Sequence, residues 1–229
     1  MPQFKGFDRK SLKFLTELEA NNNREWFAEH KPHYEALVLE PALDFIATMA
    51  PRLQKISDHY DAIPKRVGGS LMRVYRDTRF AKDKTPYKTN IGIRFAHELG
   101  KDSRAPTFYM NIEPKECFIG VGIWHPDSQT AAMIRTNISE QPVGWRKAIS
   151  AKSFRDNYEL SGSSLKRPPR GFSADDPNID DLKRKDFIAV TRLPVSQITS
   201  PSFVTDVAKR FRQTSAFMRY LCDAVGVPF

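Results

Sequence analysis

Thr107-Phe-Tyr-Met-Asn-Ile112, Glu113-Pro-Lys-Glu116 and Cys117-Phe-Ile-Gly-Val-Gly-Ile-Trp124 form the stretch on which the fold turns. Phe108, Met110 and Ile112 alternate with Tyr109 and Asn111, the period of a strand with one apolar face. Phe118–Trp124 reads as the next strand, and the short Glu113–Glu116 connection makes the two an antiparallel hairpin. Gly120 and Gly122 lie two apart, hence on one face, where something can approach the backbone closely.

Upstream, Ile91, Ile93 and Phe95 alternate with Asn90, Gly92 and Arg94, and Leu71–Tyr75 reads as a strand before them. Downstream, residues 186–193 alternate weakly and form a fifth strand. Outside this block the period is helical. Asp8 suits an N-cap, and Leu12, Leu15 and Leu18 recur on one face up to about Ala20. Asn21-Asn22-Asn23 stops that helix and caps the next, Arg24–His30. Lys31-Pro32 is expected to break the chain, and Pro41 to kink a longer helix or start a new one. Helices follow Trp124-His125-Pro126-Asp127, cover Pro142–Ser150, and close the chain over Ser202–Ala224. Ser161 to Asn178, rich in Pro, Gly, Ser and charge, is a loop. Helices at both ends and strands between them give an α+β fold: N-terminal helices packed on a central, mainly antiparallel sheet, with C-terminal helices. One domain over 1–229 is expected, helical in 1–65, sheet-forming in 70–125 and mixed helical in 126–229.

The composition, 40% hydrophobic and 28% charged, is that of a globular chain. Two distant cysteines, Cys117 and Cys222, make neither a disulfide framework nor a CxxC site, which fits a reducing cytoplasm. No apolar run reaches membrane-spanning length, and the first ten residues lack signal-peptide character.

The net charge of +9 is unevenly placed. Residues 1–70 carry ten Lys/Arg and ten Asp/Glu, whereas 71–94 carry seven cations against two aspartates. An excess this local marks a site more than it marks solubility. Arg73, Arg76, Arg79, Lys84, Lys88 and Arg94 are the candidate anion contacts. Arginine's planar fork suits phosphate or carboxylate. Asp77 is placed to orient an arginine, Asp77 or a tyrosine is the candidate for acid–base work, and Tyr87 is a ring for stacking. Lys166, Arg167 and Arg170 in the loop make a second cluster, a solvated loop unless it folds over the first cluster so that both line one groove, and Trp124 is a secondary candidate for capping a pocket at the sheet's end. Trp124 itself is expected to be buried at its strand–helix junction.

Tyr75-Arg-Asp-Thr-Arg-Phe80 with Lys84-Thr-Pro-Tyr-Lys88 resembles the core motif of a widespread family of conserved bacterial and fungal proteins known only as a domain of unknown function. The likeness extends to Phe4-Lys-Gly-Phe7, Asn22-Asn-Arg-Glu-Trp-Phe27, Gly122-Ile-Trp-His-Pro126 and Leu165-Lys-Arg-Pro-Pro-Arg-Gly-Phe172. It implies one compact domain and brings no substrate, cofactor or catalytic residue.

Several readings stay open. The basic segment is either an anion site or a structural ion-pair network with partners such as Glu25 or Glu113. As a site it serves a phosphorylated or otherwise anionic ligand, a small molecule or nucleic acid. The alternatives are an enzyme acting on a small anionic substrate and an adaptor for an acidic protein. No P-loop, dinucleotide fingerprint or nucleophile motif is present, His30 and His33 are poorly spaced for a metal, and no cofactor is expected.

Overall fold

The computed structural model describes residues 4–99 and 104–229. Asp8 caps α1 (Arg9–Ala20) by accepting the Lys10 N–H, and Asn23 caps α2 (Arg24–Tyr34) by accepting that of Trp26. The expected break at Lys31-Pro32 does not occur. The chain stays helical through Pro32, passes a π-helical turn at Glu35–Leu39, and continues as α3 (Glu40–Gln54) with Pro41 in its first turn. The carbonyl four residues before Pro41 is that of Leu37, inside the π turn, whose wider ladder leaves room for the proline ring. Burial of Phe27, Val38, Leu39, Phe45 and Met49 along this rod favours keeping it helical.

The sheet contains β1 (Tyr60–Asp61), β2 (Ile91–His97), β3 (Thr107–Ile112), β4 (Cys117–Ile123), β5 (Glu159–Ser161) and β6 (Phe187–Leu193). Their order is β1-β2-β3-β4-β6-β5 and every pairing is antiparallel. The central hairpin and the strand over 186–193 stand where their alternation placed them. Leu71–Tyr75 does not form a continuous strand. It touches the sheet through two isolated bridges, Leu71 to Ile93 and Tyr75 to Tyr87. Three residues separate the bridges on one side and five on the other, so the ladder is interrupted by a bulge that the alternation does not reveal.

One face of the sheet carries Ile93, Phe95, Phe108, Met110, Ile119, Val121 and Ala189, all buried. The helices after the hairpin are α4 (Ser128–Glu140), α5 (Pro142–Ser150), α6 (Lys152–Arg155), α7 (Ile179–Leu182), α8 (Phe203–Gln213) and α9 (Ser215–Val225). Phe211 of α8 packs on Phe108 and Phe95 with ring centres 4.7 and 5.8 Å away. The closing helix expected over 202–224 is therefore two, broken at buried Thr214, whose hydroxyl donates to the Phe211 carbonyl. The fold is α+β, with N-terminal helices, a central antiparallel sheet and C-terminal helices.

Candidate functional site: the open face of the sheet

In the basic segment, the turn neutralises part of its own charge. Arg76 donates to Asp83 at 2.5 Å and also to the carbonyl and hydroxyl of Thr85. Arg79 forks onto Asp77 through Nε at 3.0 Å and Nη2 at 2.7 Å. Both carboxyls are held down at about 2. For Asp77 the bonds from Arg79 are the cause. For Asp83 the Thr85 N–H comes first, then Arg76 and the Thr85 hydroxyl. The partners are the segment's own aspartates, in place of Glu25 or Glu113. Lys84 donates to the Thr78 carbonyl.

Tyr87 is buried with its ring stacked 4.0 Å from Phe27, so its face is not available for a ligand. The Asn22 side chain clasps the Tyr87 backbone at both its N–H and its carbonyl, which anchors the segment to the N-terminal helices. Exposed rings of the segment are Tyr75 and Phe80.

Asp77 is therefore a clamp for an exposed arginine. Asp77→Asn is expected to leave the melting temperature at neutral pH unmoved, because an exposed pair contributes little. A clear drop by differential scanning calorimetry would show that the pair holds the turn.

Arg73, Lys88 and Arg94 have no carboxylate partner among the described residues. Lys88 and Arg76 line a cavity of about 370 Å³ together with Glu19, Asp83, Asn22 and Thr85, so its wall is of mixed sign. Burial, and then the nearby Arg73, lower the Lys88 pKa.

Arg94 faces elsewhere. Strand register sets Gly92, Arg94, Tyr109, Phe118, Gly120, Gly122, Ile188, Val190 and Arg192 on the side of the sheet opposite the core. This side holds a concavity of about 1090 Å³. Arg94 and Met72 stand on its β2 side, Ser161 and Arg192 on its β6 side, and Arg104, Trp124, His125 and Asp127 at the end where β4 runs into α4.

The two glycines do share this face, for different reasons. A Cβ on Gly120 would meet only Tyr109 Cδ1 at 3.9 Å, so the floor there is bare by composition. Gly122 has φ +114°, and a Cβ on it would lie 2.1 Å from the Phe187 carbonyl oxygen. Arg192 is committed to Glu116 and Glu159 at 3.0 and 2.8 Å. Arg104 bonds to Gln129 and to the Met133 sulfur, with no carboxylate among its hydrogen-bond partners in the described residues.

Trp124, expected to be buried, is 70% exposed and stacks on His125 at 4.2 Å. His125 is the residue other than glycine with a positive φ, +50°, among those described. Its Nδ1 lies 3.1 Å from Oδ1 of Asp186, a carboxylate only 2% exposed. Oδ1 also accepts the His125 N–H, and Oδ2 accepts both the N–H and the hydroxyl of Ser163. Gly162, at φ +101°, lets the loop pass against Asp186, where a Cβ would sit 2.5 Å from the Asp186 Cβ. Burial raises the Asp186 pKa, but the bonds from Ser163 and His125 outweigh it and the net shift is downward. A left-handed non-glycine residue costs about 1–3 kcal/mol. A pair with a solvated imidazole returns about 1 kcal/mol or less, so that contact alone does not account for the conformation.

Sequence reasoning missed this pair. Sixty-one residues separate the partners, and the one local cue is the Trp-His-Pro run at the end of β4.

Lys166 and Arg170 are exposed, and their loop follows β5, at the opposite edge of the sheet from residues 71–94. They line neither cavity, so the loop does not join the first basic cluster in either wall. Among the described residues no three His, Cys, Asp or Glu side chains gather as a metal site, and no helix is long and apolar enough to cross a membrane. No curated protein and no solved structure is detectably similar to the chain. The model of one family, described as conserved hypothetical protein (DUF2461), matches residues 10–220, and the chain belongs to that family.

Proposed function

We propose that this protein binds a phosphorylated or otherwise anionic ligand on the open face of its sheet, with Arg94 as the anion contact and Trp124 and Tyr109 as ring surfaces. The observation that carries the reading is the concavity itself. It is a concave face of about 1090 Å³ with bare glycine in its floor, an arginine that has no carboxylate partner among the described residues on one side and an exposed tryptophan at one end. Its volume is of the order of a small-molecule or cofactor site, about 300–1000 Å³. Arg94 is thus the member of the basic segment that does the binding, while Arg76 and Arg79 shape the turn.

Trp124 also supplies the readout, since Trp145 is fully buried and Trp26 is partly buried. Adenosine 5′-monophosphate and a single-stranded oligonucleotide are titrated at low salt while tryptophan emission is followed. The expected result is a saturable change that Trp124→Leu removes. Arg94→Ala weakens binding by about 10–100-fold, the equivalent of one lost charge-assisted hydrogen-bonded contact. A steep fall of oligonucleotide affinity with salt would identify a polymer ligand. Absence of binding by both probes, or an Arg94→Ala protein that binds as well as the original, sinks the reading.

A further inference from the structure

We propose that His125 and Asp186 form an acid–base dyad, in which Nε2 of His125 acts as general base in the hydrolysis of a phosphodiester lying on the open face. The proposal rests on the anion-binding reading and names the substrate class of that site. Three independent features of the geometry support it.

The first is the saturation of Asp186. Oδ1 takes the His125 N–H and Oδ2 takes the N–H and the hydroxyl of Ser163, so the carboxylate is fixed and buried, with His125 Nδ1 3.1 Å from Oδ1. An ionised partner at Nδ1 keeps the imidazole proton on that nitrogen. Nε2 is then the basic nitrogen, and it has no partner among the described residues. The second feature is position. His125 lines the concavity, its side chain is 67% exposed, and the Trp124 ring stacked on it limits its rotation. The third is the backbone. A histidine held at φ +50° between β4 and α4 is the kind of local strain that accumulates at working sites.

The charges around the dyad indicate what it acts on. Arg104 lines the cavity at the same end, beside Asp127 and with no carboxylate among its hydrogen-bond partners in the described residues, and suits the phosphate whose ester is attacked. Arg94 lies two strands away, about 10 Å across the sheet and about 16 Å along the β4 direction from His125 by ordinary strand spacings. A molecule touching both ends is therefore elongated, and its second anionic group rests on Arg94.

In the step, Nε2 takes a proton from water as the water oxygen bonds to phosphorus. The bond from phosphorus to the leaving oxygen breaks, and that oxygen keeps the electron pair. It then receives the proton from Nε2. One water is added across one P–O bond and no other reactant is consumed. Asp186 is a positioning residue here, since it acts through His125.

The test uses the full chain and the p-nitrophenyl ester of thymidine 5′-monophosphate, with p-nitrophenyl acetate beside it and adenosine 5′-monophosphate binding followed by equilibrium dialysis. His125→Asn is the first variant, because asparagine tolerates the left-handed backbone and the site is exposed. The expected result is release of p-nitrophenol from the phosphodiester, a fall in kcat/KM of about 10²–10⁴-fold in His125→Asn, and retained binding of the monophosphate. Asp186→Asn lowers kcat and leaves KM in place, which a purely structural tie would not do. Should that variant not fold, His125→Asn decides alone. Cleavage of the acetate only, or equal cleavage by His125→Asn, overturns the proposal. So does a chain that binds the monophosphate and cleaves nothing, in which case the binding reading stands. A chain that binds nothing overturns both.

Discussion

Gly122→Ala is expected to destabilise the protein by roughly 3–5 kcal/mol, the combined size of backbone strain and an unrelieved clash. The melting temperature would fall by about 6–20 °C in a chain of this length. Gly122 pairs with Ile188 inside the β4–β6 ladder, at a φ of +114° that an L side chain rarely adopts. The added methyl would lie 2.1 Å from a backbone oxygen, that of Phe187, which the ladder holds in place. Gly120→Ala is the control. Two residues earlier on the same face, its methyl meets nothing closer than 3.9 Å. Alanine in a strand there removes glycine's entropic cost, so stability stays level or rises by up to about 1 kcal/mol. What Gly120→Ala changes is the floor of the concavity, so the Arg94-dependent binding should weaken while the fold does not. Urea unfolding of both variants decides the first point. Equal midpoints would mean that the β4–β6 ladder shifts to accept the methyl.

The pair of glycines also shows where the sequence is readable and where it is not. Their spacing put them on one face, and the register agrees. Spacing carries no information on φ, so the structural glycine and the site glycine look alike in one dimension. The same holds elsewhere. Alternation over 91–95, 107–112 and 186–193 exposes β2, β3 and β6, whereas β1 has two residues and β5 three, too few for a period. Pro32 reads as a breaker because local propensity is local. The burial of Phe27 and Val38, which keeps the rod helical, depends on segments far along the chain. Charge density found residues 71–94 but could not say which cations are spent. Asp77 and Asp83 turn out to engage Arg79 and Arg76, leaving Arg94 for the open face. A lone His and a lone Asp have no period and no motif, so His125 and Asp186 become visible only when β4 and β6 are paired.

Asp186→Asn is expected to cost about 2–4 kcal/mol at pH 7, through bonds to a buried charge that an amide cannot reproduce. The amide presents one acceptor oxygen to donors that now face two, and its NH2 points at an N–H or a hydroxyl of Ser163 or at His125. The pH dependence has a definite sign. The native pKa of Asp186 is lowered, so the carboxylate's contribution is fully present above the unfolded value near 3.9 and is lost as the pH falls through the lower native one. The stability difference between the original chain and Asp186→Asn should therefore be flat above about pH 5 and shrink below about pH 4. Asp77 and Asp83, whose pKa values are also low, titrate alike in both proteins and cancel in the difference. Urea unfolding at pH 7, 5 and 3 gives the curve. A gap as wide at pH 3 as at pH 7 would mean that Asp186 stabilises by shape alone and is neutral in the native state. A neutral Asp186 could not hold the His125 proton on Nδ1 as an acceptor-only partner, so the same curve bears on whether Nε2 is a base at all.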